Sequence, residues 1–258
     1  MPTVLLTGAT GGIGTKIAHI LAKHNFALIL LSIEKEQLEI LSSTLKKTYG
    51  AAVHTLHCNI ADSADLSRTL SGITALDVLI NCAGVTGPVG PFLENDLDAW
   101  KATFAVNLFG TAQACQLLIP LLRKARKGKI INFAGGGSAY PRRYHTAYAC
   151  SKTAVVRFTE TLAEEHPELT INVIAPGKHK TKMWDEQLHD EEPKTWADPV
   201  RLERFIIFLC TEQSDNITGR FLHLYDDWDK RSSAAYDKDL FTLRRIDAAL
   251  IKSLEVHK

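Results

Sequence analysis

The sequence is poor in the features that mark secreted and membrane-spanning proteins. It has five cysteines, an odd number, and no two of them form a Cys-x-x-Cys motif. We therefore expect free thiols in a reducing, cytoplasmic location rather than a disulfide framework. Val4–Leu6, the first apolar residues, are not preceded by the basic segment of a signal peptide. No apolar run is long enough for us to predict a membrane span.

An excess of charge of one sign is also missing. The chain has 30 Lys and Arg and 29 Asp and Glu, which gives a formal net charge of +1. Such a balance creates no global field that attracts nucleic acid or an anionic membrane, and we predict neither as a partner. No group of His, Cys, Asp and Glu has the spacing of metal ligands, so we predict no metal site.

The sequence does contain a regular alternation of short apolar runs and longer amphipathic stretches. The apolar runs predict strands at Val4–Thr7, Ala27–Leu31, Ala52–Leu56, Val78–Asn81, Lys129–Phe133, Thr170–Ile174 and Phe221–Tyr225. The amphipathic stretches predict helices at Gly14–Lys23, Glu34–Lys47, Ser63–Leu70, Leu97–Leu122, Ala147–Glu165 and Pro199–Leu209. This alternation predicts an α/β fold of the Rossmann type, a doubly wound parallel sheet of about seven strands with helices on both faces.

No linker divides the chain, so we predict a single domain over residues 1–258. Residues 177–198 follow a predicted strand, where open α/β sheets place loops that cover ligands, and we predict a substrate-covering loop. Its Trp184 and Trp196 either cover an apolar substrate or pack in a dimer interface. Residues 226–258 form an aromatic and charged C-terminal extension, which we expect to pack on a neighbouring surface or on a second subunit.

A glycine-rich turn, Thr7-Gly8-Ala9-Thr10-Gly11-Gly12-Ile13-Gly14, joins the first predicted strand to the first helix. Glycine allows a tight turn and lets the backbone approach a pyrophosphate with no Cβ in the way. The N-terminus of the following helix offers free N–H groups and a positive dipole. We therefore predict a dinucleotide cradle, with contacts from Gly8, Thr10, Gly11, Gly12, Ile13 and Gly14.

Together with this turn, four later motifs make the chain resemble the single-domain short-chain dehydrogenases/reductases from Thr7 to about Tyr225. The motifs are Asn81-Cys82-Ala83-Gly84, Asn107 within Val106-Asn107-Leu108-Phe109-Gly110, Tyr148-Ala149-Cys150-Ser151-Lys152 and Pro176-Gly177-Lys178-His179-Lys180-Thr181. The turn also fits the longer branch that modifies sugar nucleotides, but the chain length and the Asn-x-Ala-Gly motif argue against that branch.

The resemblance implies an NAD(P)-dependent oxidoreductase that interconverts a small-molecule ketone and a secondary alcohol by hydride transfer. Tyr148 is then the general acid/base, Lys152 holds the nicotinamide ribose, and Asn107 orders a water chain. Thr181 bonds the nicotinamide amide. A homodimer or homotetramer is also implied. The other residues that we expect to contact the cofactor are Asn59, Ile60, Asn81, Ala83, Gly84, Pro176 and Gly177.

Tyr148 and Lys152 are four residues apart and share one face of a predicted helix. Tyrosine is a poor base at its ordinary pKa of about 10. A cation close by stabilises the phenolate and lowers the pKa. We therefore expect Lys152 to lower the pKa of Tyr148.

The choice between NAD and NADP depends on the end of the second predicted strand. NAD-binding sites usually place an acidic residue there to bond the ribose 2′-hydroxyl. This chain has Ser32 at that position, which favours NADP slightly, although no arginine follows to bind a 2′-phosphate. Glu34 either reaches the ribose or only begins the next helix. The basic Lys178 and Lys180 attract an acidic substrate or the 2′-phosphate, or are simply solvated.

The family's catalytic serine is missing. It stands thirteen residues before the tyrosine, and that position is Gly135, preceded by Ala134. The glycines at 135–137 lead to Ser138, which we predict as a replacement; the alternative is a serine in a flexible turn. The departure also motivates a second hypothesis, a cofactor-binding regulatory or assembly protein with weak or lost catalysis.

Overall fold

The computed structural model describes residues 1–186, 190, 192–229 and 241–243. Its seven strands are β1 Thr3–Thr7, β2 Ala27–Ser32, β3 Val53–His57, β4 Val78–Asn81, β5 Lys129–Phe133, β6 Thr170–Ala175 and β7 Phe221–His223. All of them are parallel and form one sheet in the order β3-β2-β1-β4-β5-β6-β7. The predicted fold class, a Rossmann-type parallel sheet of seven strands, is confirmed.

Helices connect the strands. They are α1 Gly12–Lys23, α2 Lys35–Tyr49, α3 Ser63–Leu70, α4 Leu97–Phe104, α5 Thr111–Leu122, α6 Thr146–Glu165, α7 Lys182–Asp185 and α8 Pro199–Cys210. The ends of most predicted elements are within two residues of these. The short α7, inside the predicted loop, was not expected. The predicted helix 97–122 is also not uniform, because α4 and α5 are joined by a π-helical turn at Ala105–Gly110.

The two faces of the sheet are covered by different helices. Val4 and Leu6 of β1 belong to a buried cluster with residues of α1, α2 and α8. Leu5 belongs to the cluster on the opposite face, with residues of α3 and α5. Successive side chains of a strand point to opposite faces, so a strand buried on both sides reads as a continuous apolar run. The apolar runs in the sequence therefore predicted the central strands.

The helical stretch Leu97–Leu122 corrects one expectation, because it is long and apolar enough to cross a membrane. In the fold it lies against the sheet and the neighbouring helices, and part of it is buried. A core helix of this composition passes the same test, so the stretch alone indicates no membrane span. The predicted extension 226–258 is described only at 226–229 and 241–243, and the rest lies outside the described residues.

The strand order reverses between β1 and β4. From β1 the chain moves outward through β2 and β3, and β4 then returns to the other side of β1. The connections that leave β1 and β4 at their carboxyl ends therefore diverge and open a crevice, where ligands bind in this class of fold. Both the glycine turn and the segment after Asn81 begin at this crevice.

Candidate active site

A cleft of about 760 Å³ opens at this crevice, a size typical of ligand-binding sites. Most of the residues that the sequence predicted for the site line it: Gly8, Thr10, Gly11, Gly12, Ile13, Gly14, Ser32, Asn59, Ile60, Ala83, Gly84, Tyr148, Lys152, Pro176, Gly177 and Thr181. Three predicted residues, Asn81, Asn107 and Ser138, are buried outside this lining.

The glycines of the turn are required by its geometry. Gly8 has a φ of +66°, and a Cβ built on it would lie 2.6 Å from the Cα of Ala83. A Cβ on Gly14 would lie 2.1 Å from the carbonyl oxygen of Gly8. No side chain caps the N-terminus of α1, and its first turn has no acidic residue. The helix therefore presents its first N–H groups to the cleft, as phosphate binding requires.

The segment after β6 lies directly on this turn. A Cβ on Gly12 would lie 2.4 Å from Cγ2 of Thr181, whose hydroxyl accepts a hydrogen bond from the backbone N–H of Trp184. Burial and then the nearby Lys16 lower the pKa of His179 to about 4, so this imidazole is neutral at physiological pH. His179 thus adds no charge to the cleft.

At the other end of the cleft, a carboxylate stands beside Ser32. The hydroxyl of Thr10 lies 2.6 Å from the hydroxyl oxygen of Ser32 and donates to Oε2 of Glu34 at 2.7 Å. The backbone N–H of Glu34 also donates to the Ser32 hydroxyl, at 3.2 Å. Of the two sequence interpretations of Glu34, the structure supports a side chain that lines the cleft. A carboxylate therefore lies in the cleft two residues after Ser32.

Asn81 and Asn107, both predicted as site residues, form hydrogen bonds with other protein groups. Asn81 is buried and donates to Oδ1 of Asn132 at 2.9 Å inside the sheet, and its contact with a cofactor stays a prediction. Asn107 donates to the carbonyl oxygen of Val85 and to the hydroxyl of Ser151, each at 3.0 Å. Its Oδ1 accepts from the N–H of Val85 at 2.9 Å. Asn107 therefore fixes the backbone after β4 against α6.

Tyr148 and Lys152 occupy the centre of the cleft on adjacent turns of α6. Lys152 donates to the carbonyl oxygen of Phe133 at 2.9 Å, and burial lowers its pKa to about 8. Burial raises the pKa of Tyr148 to about 12, while the positive charge of Arg142 acts in the opposite direction. The expectation that Lys152 lowers the pKa of Tyr148 is therefore not met, because desolvation outweighs the charges around the phenol.

The turn after β5 shows what occupies the position of the missing serine and how Ser138 is bonded. A Cβ on Gly135 would lie 2.2 Å from the hydroxyl oxygen of Tyr148, so this hydroxyl occupies the space of a side chain at 135. The Ser138 hydroxyl donates to the carbonyl oxygen of Gly135 at 2.7 Å and accepts from its N–H at 3.1 Å. This geometry does not support Ser138 as the replacement, because its only proton is used within its own turn.

Sequence reasoning missed a charged pair in the cleft. Arg142 lies beside Tyr148, with its guanidinium carbon 5.9 Å from the ring centroid. Arg142 is hydrogen-bonded to Asp190, and both line the cleft. Neither residue belongs to a motif, and the only sequence signal is that Arg142 and Arg143 precede the tyrosine by a few residues.

Comparison with known proteins identifies the family. A family model described as short chain dehydrogenase matches residues 2–192. The chain belongs to this family. As a short-chain dehydrogenase it is an oxidoreductase that uses a nicotinamide cofactor.

This dehydrogenase has both curated and structural relatives. It is 32% identical over 235 residues to a 3-oxoacyl-acyl-carrier-protein reductase of Rickettsia bellii (strain RML369-C), which covers 86% of this chain and 94% of that protein. It is 29% identical over 237 residues to a 2,3-dihydro-2,3-dihydroxybenzoate dehydrogenase of Bacillus subtilis (strain 168), over 83% and 90% of the two chains.

Solved structures agree with the fold. A short chain dehydrogenase of Shigella flexneri 2a str. 301 complexed with NADP is 26% identical, with a TM-score of 0.78 over 87% of this chain and 97% of that one. An NAD⁺-bound xylitol dehydrogenase superimposes with a TM-score of 0.79 over 86% and 96% of the two chains. At 23% identity, the second comparison speaks for the fold alone.

Proposed function

We propose that this dehydrogenase interconverts a small-molecule ketone and a secondary alcohol, with Tyr148 as the general acid/base. The observation that carries the proposal is the position of the Tyr148 phenol. It lies in the same cleft as the glycine turn, one helical turn from Lys152. When bound, the nicotinamide supplies or accepts the hydride.

The residues of the cleft fit such a cofactor. The N-terminus of α1 and Gly11 would hold the pyrophosphate, and Asn59 and Ile60, which line the same cleft, would contact the adenosine. Lys152 is the candidate to hold the nicotinamide ribose, and Thr181 the nicotinamide amide. Asn107 supports the site from behind α6 through Ser151, and we infer a positioning role for it.

The protonation state of Tyr148 makes the rate of each reaction direction depend on pH. A phenol with a pKa of about 12 is protonated at neutral pH, so it is ready to donate to the oxygen of a ketone. Alcohol oxidation needs the phenolate, whose population increases as the pH rises towards that pKa. We therefore expect the initial rate of alcohol oxidation to rise with pH, while the rate of ketone reduction stays level near neutral pH.

A turnover screen tests the proposal. Purified protein is mixed with a panel of ketones and NADH or NADPH, and in a second series with alcohols and the oxidised cofactors, while nicotinamide absorbance is followed. We expect turnover that a Tyr148→Phe substitution removes. Tight cofactor binding without turnover on the panel would instead support the second candidate, a cofactor-binding regulatory or assembly protein. The glycine at position 135 is the observation that favours this candidate.

We propose that the protein prefers NAD to NADP, in contrast to the slight preference for NADP indicated by Ser32, and the support is the position of the Glu34 carboxylate. A carboxylate at position 34 repels a 2′-phosphate and can accept a hydrogen bond from a 2′-hydroxyl. We expect Glu34→Gln to tighten NADPH binding by about tenfold, because it removes one repulsive charge. NADH binding should weaken slightly. Fluorescence titration of each cofactor with the purified variant measures both changes.

Glu36→Gln is the matched control, since Glu36 is exposed in the first turn of α2 and does not line the cleft. It should leave both affinities unchanged. If Glu34→Gln leaves the NADH to NADPH ratio as it is in the wild-type protein, the carboxylate does not discriminate the ribose.

We also propose that the protein is a homodimer or homotetramer. Large apolar side chains are exposed on and beside the stretch Leu97–Leu122, including Leu97 at 54% and Phe109 at 63% exposure. Association would bury this surface. Light scattering should give two or four times the 28.5 kDa of one chain. A single species of 28.5 kDa would contradict this.

We further propose that the protein is located in the cytoplasm. All five cysteines are free, and burial raises the pKa of Cys58, Cys82, Cys115 and Cys210. Free thiols persist in a reducing compartment. The cleft itself supports a small-molecule substrate, and the balanced charge gives no support for a nucleic-acid or membrane partner.

A further inference from the structure

Arg142 supplies a cation at the part of the cleft where a substrate oxygen would meet Tyr148. Its guanidinium carbon lies 5.9 Å from the Tyr148 ring centroid, and its side chain is 13% exposed. A Cβ on Gly136 would lie 3.6 Å from its Nη1, so the guanidinium lies along the glycine turn after β5. This is the turn from which the family's serine is missing.

A carboxylate already occupies the guanidinium. Asp190 is bonded to Arg142 through its Oδ2, and its Oδ1 lies 3.9 Å from Nε2 of the buried His145. Asp190 belongs to the segment after β6, 48 residues from Arg142 in the sequence. A carboxylate that is distant in the sequence is therefore paired in the cleft with the arginine beside Tyr148.

We propose that Arg142 anchors a carboxylate of the substrate and that Asp190 holds this position until the substrate displaces it. The inference rests on the proposed function and narrows it. The substrate class becomes a ketone or secondary alcohol that also bears a carboxylate, close enough for Arg142 to hold the acid while Tyr148 serves the reacting oxygen.

The exchange of one carboxylate for another is energetically easy. Arginine presents a planar fork that matches a carboxylate, and a substrate acid would restore the same kind of bond that Asp190 loses. The Asp190 side chain is 19% exposed, so it can return to water when displaced. A neutral ketone offers no such replacement and would have to bind beside an intact pair.

Because the family's serine is absent, Tyr148 alone would hold the substrate oxygen, and Arg142 would supply a second attachment that orients the substrate. A ketone held only by Tyr148 would be free to rotate about its carbonyl oxygen. A second attachment through a carboxylate removes that freedom and fixes which face of the ketone is presented. Among the described residues, the other charged side chains that line the cleft are Lys152, Lys178 and Lys182, with the carboxylates of Glu34 and Glu186. With Arg142 and Asp190 included, four cations face three carboxylates, which favours an anionic ligand.

Binding to the complex with oxidised cofactor tests the inference without turnover, because a ketone cannot be reduced there. The probes are 4-acetylbenzoate with its neutral analogue 4-acetylbenzamide, and levulinate with levulinamide, measured by calorimetry. We expect at least one carboxylate to bind about tenfold more tightly than its amide, because charge-assisted hydrogen bonds are stronger than neutral ones. Equal affinities within both pairs, or no carboxylate binding, would overturn the proposal.

Two arginine variants test whether Arg142 causes the preference for a carboxylate over its amide. Arg142→Gln should reduce the ratio of carboxylate to amide affinity to about one, since its side chain is neutral. Arg143→Gln is the matched control, because Arg143 is exposed and lies over the ring of Tyr144 instead of Tyr148. It should keep the wild-type ratio. Unchanged cofactor affinity shows that each variant is folded, and a preference that survives Arg142→Gln would refute the anchor.

The Asp190→Asn variant shows whether the substrate displaces the Asp190 carboxylate or whether Asp190 only positions Arg142. If the Asp190 carboxylate competes with the substrate, its removal should tighten carboxylate binding. A loss of binding equal to that of Arg142→Gln would mean that Asp190 only positions the arginine, and would overturn the displacement. Turnover of neutral ketones with no carboxylate preference would refute the inference alone. Arg142-dependent carboxylate binding without any turnover would refute the proposed function alone.

Discussion

Tyr148→Phe is expected to lower kcat by about 10³-fold in both directions, within the range attributed to general acid–base catalysis. The substitution removes only the hydroxyl. That hydroxyl lies beside Gly135, just after β5, because a Cβ built on Gly135 would lie 2.2 Å from its oxygen. The phenylalanine ring keeps the packing on α6, so cofactor affinity should remain unchanged. Initial rates by nicotinamide absorbance, with cofactor titrations beside them, measure the two effects separately.

The pH dependence of the wild-type protein provides a second readout. Because burial holds the pKa of Tyr148 near 12, alcohol oxidation should accelerate from neutral to alkaline pH, while ketone reduction should stay level. Tyr140→Phe is the matched control, since Tyr140 also lines the cleft. Equal losses in the two variants, or a Tyr148→Phe variant with wild-type rates, would remove Tyr148 from the mechanism.

Lys152→Met is expected to make the protein inactive and, at pH 7, more stable. Burial lowers the pKa of Lys152 from 10.5 to about 8, so the folded state disfavours the charged amine relative to the unfolded state. At pH 7 the lysine is protonated in both states, and its desolvation costs up to about 3 kcal/mol of unfolding free energy. Methionine removes this cost but leaves the carbonyl of Phe133 without its donor, at about 1–2 kcal/mol.

The pH dependence of this gain is the critical measurement. Between pH 8 and 10.5 the unfolded chain binds the proton more tightly than the folded one, so the stability of the wild-type protein rises with pH and the advantage of the variant disappears. Urea unfolding at several pH values from 7 to 10 follows the difference. Lys47→Met, at an exposed position on α2, should show no such trend. A stability difference for Lys152→Met that is the same at every pH would contradict the shifted pKa.

The sheet was predictable because parallel strands buried on both faces carry long apolar runs. Lys129–Phe133 and Val78–Asn81 were predicted with their observed ends for this reason. The glycine turn was predictable because each glycine serves a backbone requirement, such as the positive φ of Gly8. The π-helical turn around Asn107 was not predictable, because its apolar pattern is the same as that of a regular helix.

The polar contacts of the site were harder to predict, because they depend on three-dimensional positions. Glu34 lies two residues after Ser32, and its hydrogen bond with Thr10 and its place in the lining show that its carboxylate faces the cleft. Ser138 was a reasonable candidate by sequence distance, yet a three-residue turn allows its hydroxyl to bond Gly135. Arg142 and Asp190 are in contact although 48 residues separate them in the sequence, and no local pattern predicts such a contact.

The close approach of Tyr148 to Gly135 makes the two positions interdependent. A serine introduced at 135 would place its Cβ 2.2 Å from the tyrosine oxygen, so it could be accepted only if the phenol moved away. A single reversion to the common family residue would therefore impair the site before it could help. A working serine requires compensating changes elsewhere in α6 or in the turn after β5. When active sites are transplanted between relatives, position 135 should therefore be exchanged together with the residues of α6 and of the turn after β5 that place the Tyr148 hydroxyl.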